Sequence, residues 1–226
     1  MNLPLLPAFY FGSVEHYRLL AKHPRVLIDT GEHYERQSYR TRTGIVGPNG
    51  RQDLSVQIAR DHGRKMHMRD VRLSYAETWP QQHLHAIRSA YGQTPWFIHY
   101  IDDIEQVLLA KHERLIDLLL ATAQLGLHWL ELPTAIGISD QYVEGTEYRV
   151  DGSGSGPADP ATPMAQRQPL LDLRSSFHPK KPLPTEVTAV PQYPQVFADR
   201  HGFVPRLSIL DLVCNCGPEA ASRLLA

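Results

Sequence analysis

The C-terminal part of the chain carries the stretch that we expect to organise the fold: His201-Gly202-Phe203-Val204-Pro205-Arg206-Leu207-Ser208-Ile209-Leu210-Asp211-Leu212, preceded by Tyr193-Pro194-Gln195-Val196-Phe197. Ser208 stands directly before an apolar run and predicts the N-cap of a helix. Gly217-Pro218 predicts the end of that helix and the start of a short last one. Asp211 lies among isoleucine and leucine, so its carboxyl group must be paired, hydrogen-bonded or directed at a pocket. The sequence leaves open whether Asp211 is a structural partner, for instance of an arginine, or a site residue.

The composition indicates one globular domain, residues 1–226, with no electrostatic preference for a polyanion. The chain has 226 residues, of which 42% are hydrophobic, and this is enough for a sizeable core. A net charge of −1 argues against binding to nucleic acid or to an anionic membrane. The longest apolar run is too short to span a membrane, and the N-terminus lacks the basic region of a signal peptide. Two cysteines are too few for a disulfide scaffold, so we expect a cytoplasmic protein.

The N-terminal half predicts strands. A strand over residues 3–11, a helix capped by Ser13 and a strand over Arg25–Asp29 form a βαβ-like opening. Pro48-Asn49-Gly50 predicts a tight hairpin turn between two further strands, because Asn-Gly accepts the positive φ angles of such turns. Alternating polarity predicts another strand over residues 69–75.

The middle of the sequence, residues 79–128, mainly predicts helices. Helical spacing indicates one helix over residues 79–91 and one long or two short helices over 98–128, ended by Gly126. A strand is expected over 127–132. A Gly/Ser/Pro-rich stretch at 151–168 predicts a flexible insertion. The predicted fold class is therefore α/β, a single domain with a mixed β-sheet, helices packed on the sheet, and the C-terminal stretch folded back on both.

Two arginines precede the predicted hairpin turn. On a strand, Arg40 and Arg42 would share one face, and two neighbouring guanidinium groups repel each other unless an anion lies between them. That anion is either a ligand phosphate or carboxylate, or an acidic side chain of the protein. The acidic candidates are Glu32, Glu35 and Asp29. The sequence does not decide between the two interpretations.

Histidines supply the candidate bases. His83 falls on the same stripe of the 79–91 helix as Trp79 and Ile87, so it should face inward, either as a hydrogen-bonded core residue or as a site residue. The polar, locally basic stretch at 61–67, which contains His62, is either a loop over a site or a solvated connection. The full set of candidate site residues is Glu32, Tyr34, Arg40, Arg42, His62, His83, His201 and Asp211.

General motifs do not identify a cofactor or a metal. The sequence contains no glycine-rich phosphate loop, zinc ligand quartet, nucleophile elbow or His-x-x-x-His helix. Cys214 and Cys216 have no adjacent cation that would lower the pKa of a thiol, which argues against a catalytic cysteine. The expectation is no metal and an unknown cofactor.

The chain resembles the WbqC-like family of bacterial proteins over nearly its whole length. The segments that carry the resemblance are Tyr10-Phe11 with Tyr17, Glu32 to Arg42, Asn49-Gly50, His83 with Ala90-Tyr91, Tyr193 to Phe197, His201 to Leu212, and Gly217-Pro218-Glu219. The chain departs from the family pattern at Cys214 and Cys216, where members usually have phenylalanine and an acidic residue. It departs again at the 151–168 stretch, which resembles an insertion specific to this chain.

The resemblance implies a role in bacterial surface-polysaccharide (lipopolysaccharide) biosynthesis, with transfer of an acyl or aminoacyl group such as glycine to an amino-sugar precursor. In that scheme His83 or His62 is the general base, and Asp211 or Glu32 orients it. Arg40 and Arg42 hold a phosphate or carboxylate, and Tyr34 and His201 contact substrate. The expected partner is a small-molecule sugar or acyl donor, with a carrier protein or a second copy of the chain left open. The alternatives are a non-catalytic accessory protein that binds a sugar nucleotide or a partner enzyme, and a hydrolase.

Overall fold

The computed structural model describes residues 2–59, 65–151, 154–157, 167–187 and 189–226. The helices are α1 (Val14–Ala21), α2 (Trp79–Tyr91), α3 (Ile101–Leu109), α4 (Leu115–Trp129), α5 (Ala198–His201), α6 (Ile209–Cys216) and α7 (Ala220–Leu225). The strands are β1 (Leu3–Leu6), β2 (Arg25–Asp29), β3 (Arg42–Gly47), β4 (Gly50–Ser55), β5 (Ala135–Ser139), β6 (Glu147–Asp151), β7 (Gly154–Pro157) and β8 (Arg167–Asp172). The predicted α/β class with a mixed sheet is confirmed.

Strands of the main sheet lie in the order β5-β2-β1-β8-β6-β7 within the described residues. β5, β2, β1 and β8 run parallel to one another, whereas β6 pairs antiparallel with both β8 and β7. β1, α1 and β2 form the predicted βαβ unit. β3 and β4 form a separate hairpin, as predicted, with Pro48 and Asn49 in the turn and Gly50, at φ 101°, as the first residue of β4.

The C-terminal stretch docks between α1 and the hairpin. Ser208 caps α6 by accepting a hydrogen bond from the Leu210 amide at 3.3 Å, and its own hydroxyl donates to the Phe11 carbonyl at 3.1 Å. Its backbone amide donates to the Gly44 carbonyl at 2.7 Å. The predicted N-cap is confirmed, and the same residue joins the C-terminal stretch to both halves of the N-terminal region.

Two predicted strands are wrong. The strand predicted over residues 69–75 is replaced by a short 3-10 helix at Met68–Asp70 and two isolated bridges. Arg72 pairs only with Arg114 and Leu73 only with Ile58, so no continuous ladder forms. Instead of a strand, residues 127–129 are the last residues of α4, which Gly126 does not end, and residues 130–132 lie in the turn and loop that follow the helix. Gly126 is needed for another reason: an added Cβ would lie 2.2 Å from the hydroxyl of Tyr17, so the glycine lets α1 approach α4.

Ala135–Ser139 forms the edge strand β5, which the sequence pattern did not predict. The prediction of a flexible insertion at 151–168 falls partly on residues 152–153 and 158–166, which lie outside the described residues. In the described part of that stretch, Gly154–Pro157 pairs with β6, and β8 begins at Arg167.

Candidate functional site

The carboxyl ends of the parallel strands meet at one edge of the main sheet. The chain places β2 and β5 on one side of β1, and then returns to place β8 on the other side. In open α/β sheets a ligand crevice forms at the carboxyl ends of the strands where the strand order reverses in this way. We call the loops that follow β1, β2, β5 and β8 the switch-point edge.

Asp29, the last residue of β2, is the centre of this edge. Its carboxylate is buried and accepts hydrogen bonds from the backbone amides of Gly31 at 2.9 Å, Glu32 at 3.1 Å and Val143 at 3.1 Å. It also forms an ion pair with Arg174, which follows β8. One buried carboxylate therefore ties together the loops that follow three of the parallel strands.

Arg174 is shared between two carboxylates. Besides Asp29 it contacts Asp172, with Nη2 at 2.6 Å from Oδ2 and Nε at 3.0 Å from Oδ1. Burial acts to raise the pKa of Asp172, but the hydrogen bonds and charge of Arg174 outweigh it and hold the pKa below its usual value.

Glu32 and Arg40 form a second, bidentate ion pair at the same edge. Nε and Nη2 of Arg40 donate to the two carboxylate oxygens of Glu32 at 2.8 and 2.7 Å, and Nη1 donates to Glu35 at 3.2 Å. Nη2 also donates to the Arg174 carbonyl at 3.3 Å, which joins this pair to the first network. Burial raises the pKa of Glu32, although the hydrogen bonds and charge of Arg40 act in the opposite direction.

The joined network has a surplus of negative charge. It comprises four carboxylates and two guanidinium groups, which leaves a formal charge of −2: Asp29, Glu32, Glu35, Asp172, Arg40 and Arg174. The contacts of Arg40 match the ion-pair interpretation of the sequence. They occupy the donors that an external anion would need.

His67 lies beside this network with one ring nitrogen fixed. Its Nδ1 lies 2.5 Å from the carbonyl oxygen of Gly31, a geometry that requires the proton on Nδ1. In the neutral imidazole Nε2 is then an unprotonated acceptor, the form of a general base. The ring stacks on His33, with centroids 4.6 Å apart. This pair connects the loop after β2 to the segment that precedes the 3-10 helix.

His83 is placed elsewhere, in the core between α2 and the loop after β1. Its side chain is buried, and the Tyr10 hydroxyl can donate to its Nδ1 at 2.9 Å. Burial lowers the pKa of His83 to about 4, with a hydrogen bond to the Ser55 backbone acting in the opposite direction. The geometry matches a satisfied core histidine, the first of the two alternatives drawn from the sequence.

Asp211 has polar partners but faces neither Arg40 nor Arg42. Its Oδ2 accepts hydrogen bonds from the hydroxyl of Tyr193 at 2.7 Å and from Nε2 of Gln195 at 2.9 Å. Burial raises the pKa of Asp211 to about 6, although these hydrogen bonds favour the ionised form. Its bonds hold the Tyr193–Gln195 segment against α6.

The other candidates are dispersed. Arg42 begins β3, so it does not share a strand face with Arg40 as expected, and it pairs with Asp53 at 3.6 Å. His201 is exposed, and its Nε2 donates to the Pro48 carbonyl at 3.2 Å beside a cavity of about 180 Å³ at the hairpin turn. Tyr34 shares a hydrogen bond of 3.3 Å with the Thr41 hydroxyl. His62 lies outside the described residues.

The structure thus brings together Glu32 and Arg40 and adds residues that sequence reasoning did not choose as site residues: Asp29, Asp172, Arg174 and His67. The sequence contained a signal for Asp29, because an acidic residue at the carboxyl end of a predicted central parallel strand is well placed to line a ligand crevice. Arg174 lies in a segment for which no site residue was predicted, and His67 lies in the 61–67 stretch, which was predicted to be either a loop over a site or a solvated connection.

The described residues contain no group of three or more His, Cys, Asp or Glu side chains that could hold a metal ion. A second surface cavity, of about 530 Å³, lies at the end of α4 around His128 and Trp129, away from the switch-point edge. No helix in the part of the chain that the structure describes is both long and apolar enough to cross a membrane.

Comparison with known proteins gives one match. The model of the WbqC-like protein family matches residues 10–152 and 182–223. The unmatched residues 153–181 include most of the predicted insertion, but also β8 and Arg174. No curated protein and no solved structure matches the chain. Because the family model covers most of the sequence, the chain belongs to the WbqC-like protein family.

Proposed function

We propose that this protein is a transferase that moves an acyl or aminoacyl group, such as glycyl, onto the amine of a sugar precursor for bacterial surface polysaccharide. The acceptor nitrogen attacks the carbonyl carbon of an activated donor, such as a thioester. A C–N bond forms, the bond to the sulfur of the donor breaks, and the proton of the amine moves by way of a base to the leaving thiolate. The polysaccharide context comes from the family resemblance.

The observation that carries the proposal is the placement of His67. Its Nδ1 is held by the Gly31 carbonyl at the carboxyl end of β2, so Nε2 is presented as the acceptor of a proton. A general base needs this combination of a fixed ring and an unprotonated ring nitrogen. In the proposal His67 takes the role that the sequence suggested for His83 or His62, because His83 is buried against Tyr10.

The charge of the ion-pair network formed by Asp29, Glu32, Glu35, Asp172, Arg40 and Arg174 suits an amine acceptor better than an anionic one. This network carries a formal charge of −2, which attracts the ammonium form of an amino sugar. That ammonium group must lose a proton before attack, which is the work of a base beside the network. Glu32 and Arg40 act here as positioning residues, because they fix the loop that follows β2.

The test is a transfer assay on the purified full chain with glycyl- and acetyl-pantetheine thioesters and UDP-glucosamine. Mass spectrometry distinguishes the amide product from the free acid that a hydrolase would release. His67→Asn keeps an N–H donor for the Gly31 carbonyl but supplies no base, so we expect transfer to fall about 10²- to 10⁴-fold. The matched control is His33→Asn, which removes the exposed stacking partner. Full activity in His67→Asn would contradict the mechanism.

A second candidate function, a non-catalytic accessory protein that binds a sugar nucleotide, is favoured by one observation. Asp29, Glu32, Arg40 and Arg174 are bonded to one another, as in a rigid binding scaffold. If the protein is such an accessory protein, calorimetry should detect UDP-glucosamine binding, while mass spectrometry should detect neither the amide product nor the free acid. That pair of results would replace the transferase proposal.

A further inference from the structure

Tyr142 is a half-exposed aromatic residue at the switch-point edge. It follows β5, and 48% of its surface is accessible. The guanidinium carbon of Arg174 lies 4.5 Å from the centroid of its ring, on one face. Arg174 is itself held by Asp29 and Asp172, so one face of the ring rests on a fixed cation. A ligand that stacks on this ring would use the face opposite the guanidinium.

The backbone that carries Tyr142 is also fixed. The amide of the next residue, Val143, donates to the buried Asp29 carboxylate at 3.1 Å. On the other side, the Ser139 hydroxyl donates to the Gln141 carbonyl at 2.7 Å. The chain is packed so closely that a Cβ added to Gly31 would lie 2.0 Å from the Tyr142 amide nitrogen. An exposed ring on an immobilised loop pays little conformational entropy when a ligand stacks on it.

We propose that Tyr142 is the stacking platform for the pyranose ring of the sugar substrate. The choice of an amino sugar rests on the proposed transferase function. The C–H bonds on one face of a pyranose carry partial positive charge and pack against the negative face of an aromatic ring. Asp140 and Gln141, both exposed and adjacent in the chain, supply polar groups for the sugar hydroxyls.

The platform and the base are joined through one residue. The Gly31 carbonyl accepts the hydrogen bond from His67, and the Cα of the same glycine abuts the Tyr142 peptide. A sugar stacked on Tyr142 therefore lies at the edge where His67 presents Nε2.

Binding is measured by isothermal calorimetry on the full chain with UDP-glucosamine and with UDP alone. We expect Tyr142→Ala to weaken UDP-glucosamine binding about tenfold, and Tyr142→Phe to stay within about twofold of wild type, because stacking needs the ring and not the hydroxyl. The control is Tyr75→Ala, which removes another half-exposed tyrosine, stacked on Trp79. It should bind as wild type does.

The stacking role of Tyr142 would be overturned if wild type did not bind UDP-glucosamine, or if Tyr142→Ala bound it as tightly as wild type does. It would also be overturned if Tyr142→Ala lost UDP binding to the same extent, because the uracil ring, and not the sugar, would then stack on Tyr142. The outcome is separable from that of the transferase proposal. If wild type binds the sugar through Tyr142 but transfers no acyl group, the transferase fails and the platform stands. If transfer occurs and Tyr142→Ala leaves the KM for the sugar unchanged, the platform fails alone.

Discussion

Replacement of Asp29 by alanine should leave four donors without their acceptor at the carboxyl end of β2. Three are the backbone amides of Gly31, Glu32 and Val143, and the fourth is the guanidinium of Arg174. The carboxylate is fully buried, and only 12% of the Arg174 side chain is exposed. Water therefore has little access to the groups that lose their partner.

The magnitude follows from these contacts. Leaving a buried donor unsatisfied costs about 1–3 kcal/mol, and removing one partner of a buried ion pair costs about 3–5 kcal/mol. These contributions overlap because neighbouring groups relax together, so we expect a loss of about 5 kcal/mol rather than their sum. That is a large fraction of the roughly 5–15 kcal/mol that stabilises a typical domain.

The measurement is urea unfolding followed by tryptophan fluorescence, with extrapolation to water. Asp172→Ala is the matched control, because it removes the other carboxylate of the same arginine from a site where its side chain is 48% exposed. We expect that control to lose less than about 1 kcal/mol. If Asp29→Ala does not fold, Asp29→Asn gives a graded version, with one carbonyl oxygen retained and the charge removed.

A loss below about 1.5 kcal/mol for Asp29→Ala, or a loss equal to that of Asp172→Ala, would contradict a central structural role of the Asp29 carboxylate. Either result would mean that the loops after the parallel strands are held by something other than the Asp29 carboxylate.

Four further predictions test the rest of the fold. Ser208→Ala should cost about 1–2 kcal/mol in urea unfolding, since it removes a helix cap. The pKa of His83 is lowered to about 4 in the folded state, so wild type should lose stability, relative to His83→Gln, as pH falls from about 6.5 to 4. The pKa of Asp211 is raised to about 6, so wild type should lose stability, relative to Asp211→Asn, as pH rises from about 4 to 6. Burial raises the pKa of the thiols of Cys214 and Cys216, so a thiol reagent should modify them only after denaturation.

Local signals in the sequence predicted local structure well. The Asn49-Gly50 turn, the Ser208 cap and the Arg25–Asp29 strand all depend on residues close together in the chain, and the structure confirms each. The strand predicted over 127–132 failed because the role of Gly126 is set by Tyr17, a distant residue on another helix. A glycine that ends a helix and a glycine that admits a neighbour look alike in the sequence.

The candidate site also combines features that local sequence signals predicted with contacts between residues far apart in the chain. The amino-acid pattern alone indicated the mixed α/β class, the capped C-terminal helix and the family of the chain, and it selected Glu32 and Arg40 as candidates. Their network also includes Arg174, which lies 145 residues from its partner Asp29 and meets it only in the folded chain. The tertiary structure also placed His83 and Asp211 with separate partners. The physical reason is that β8 enters the sheet beside β1, and the return of the chain to that position creates the edge where these side chains meet.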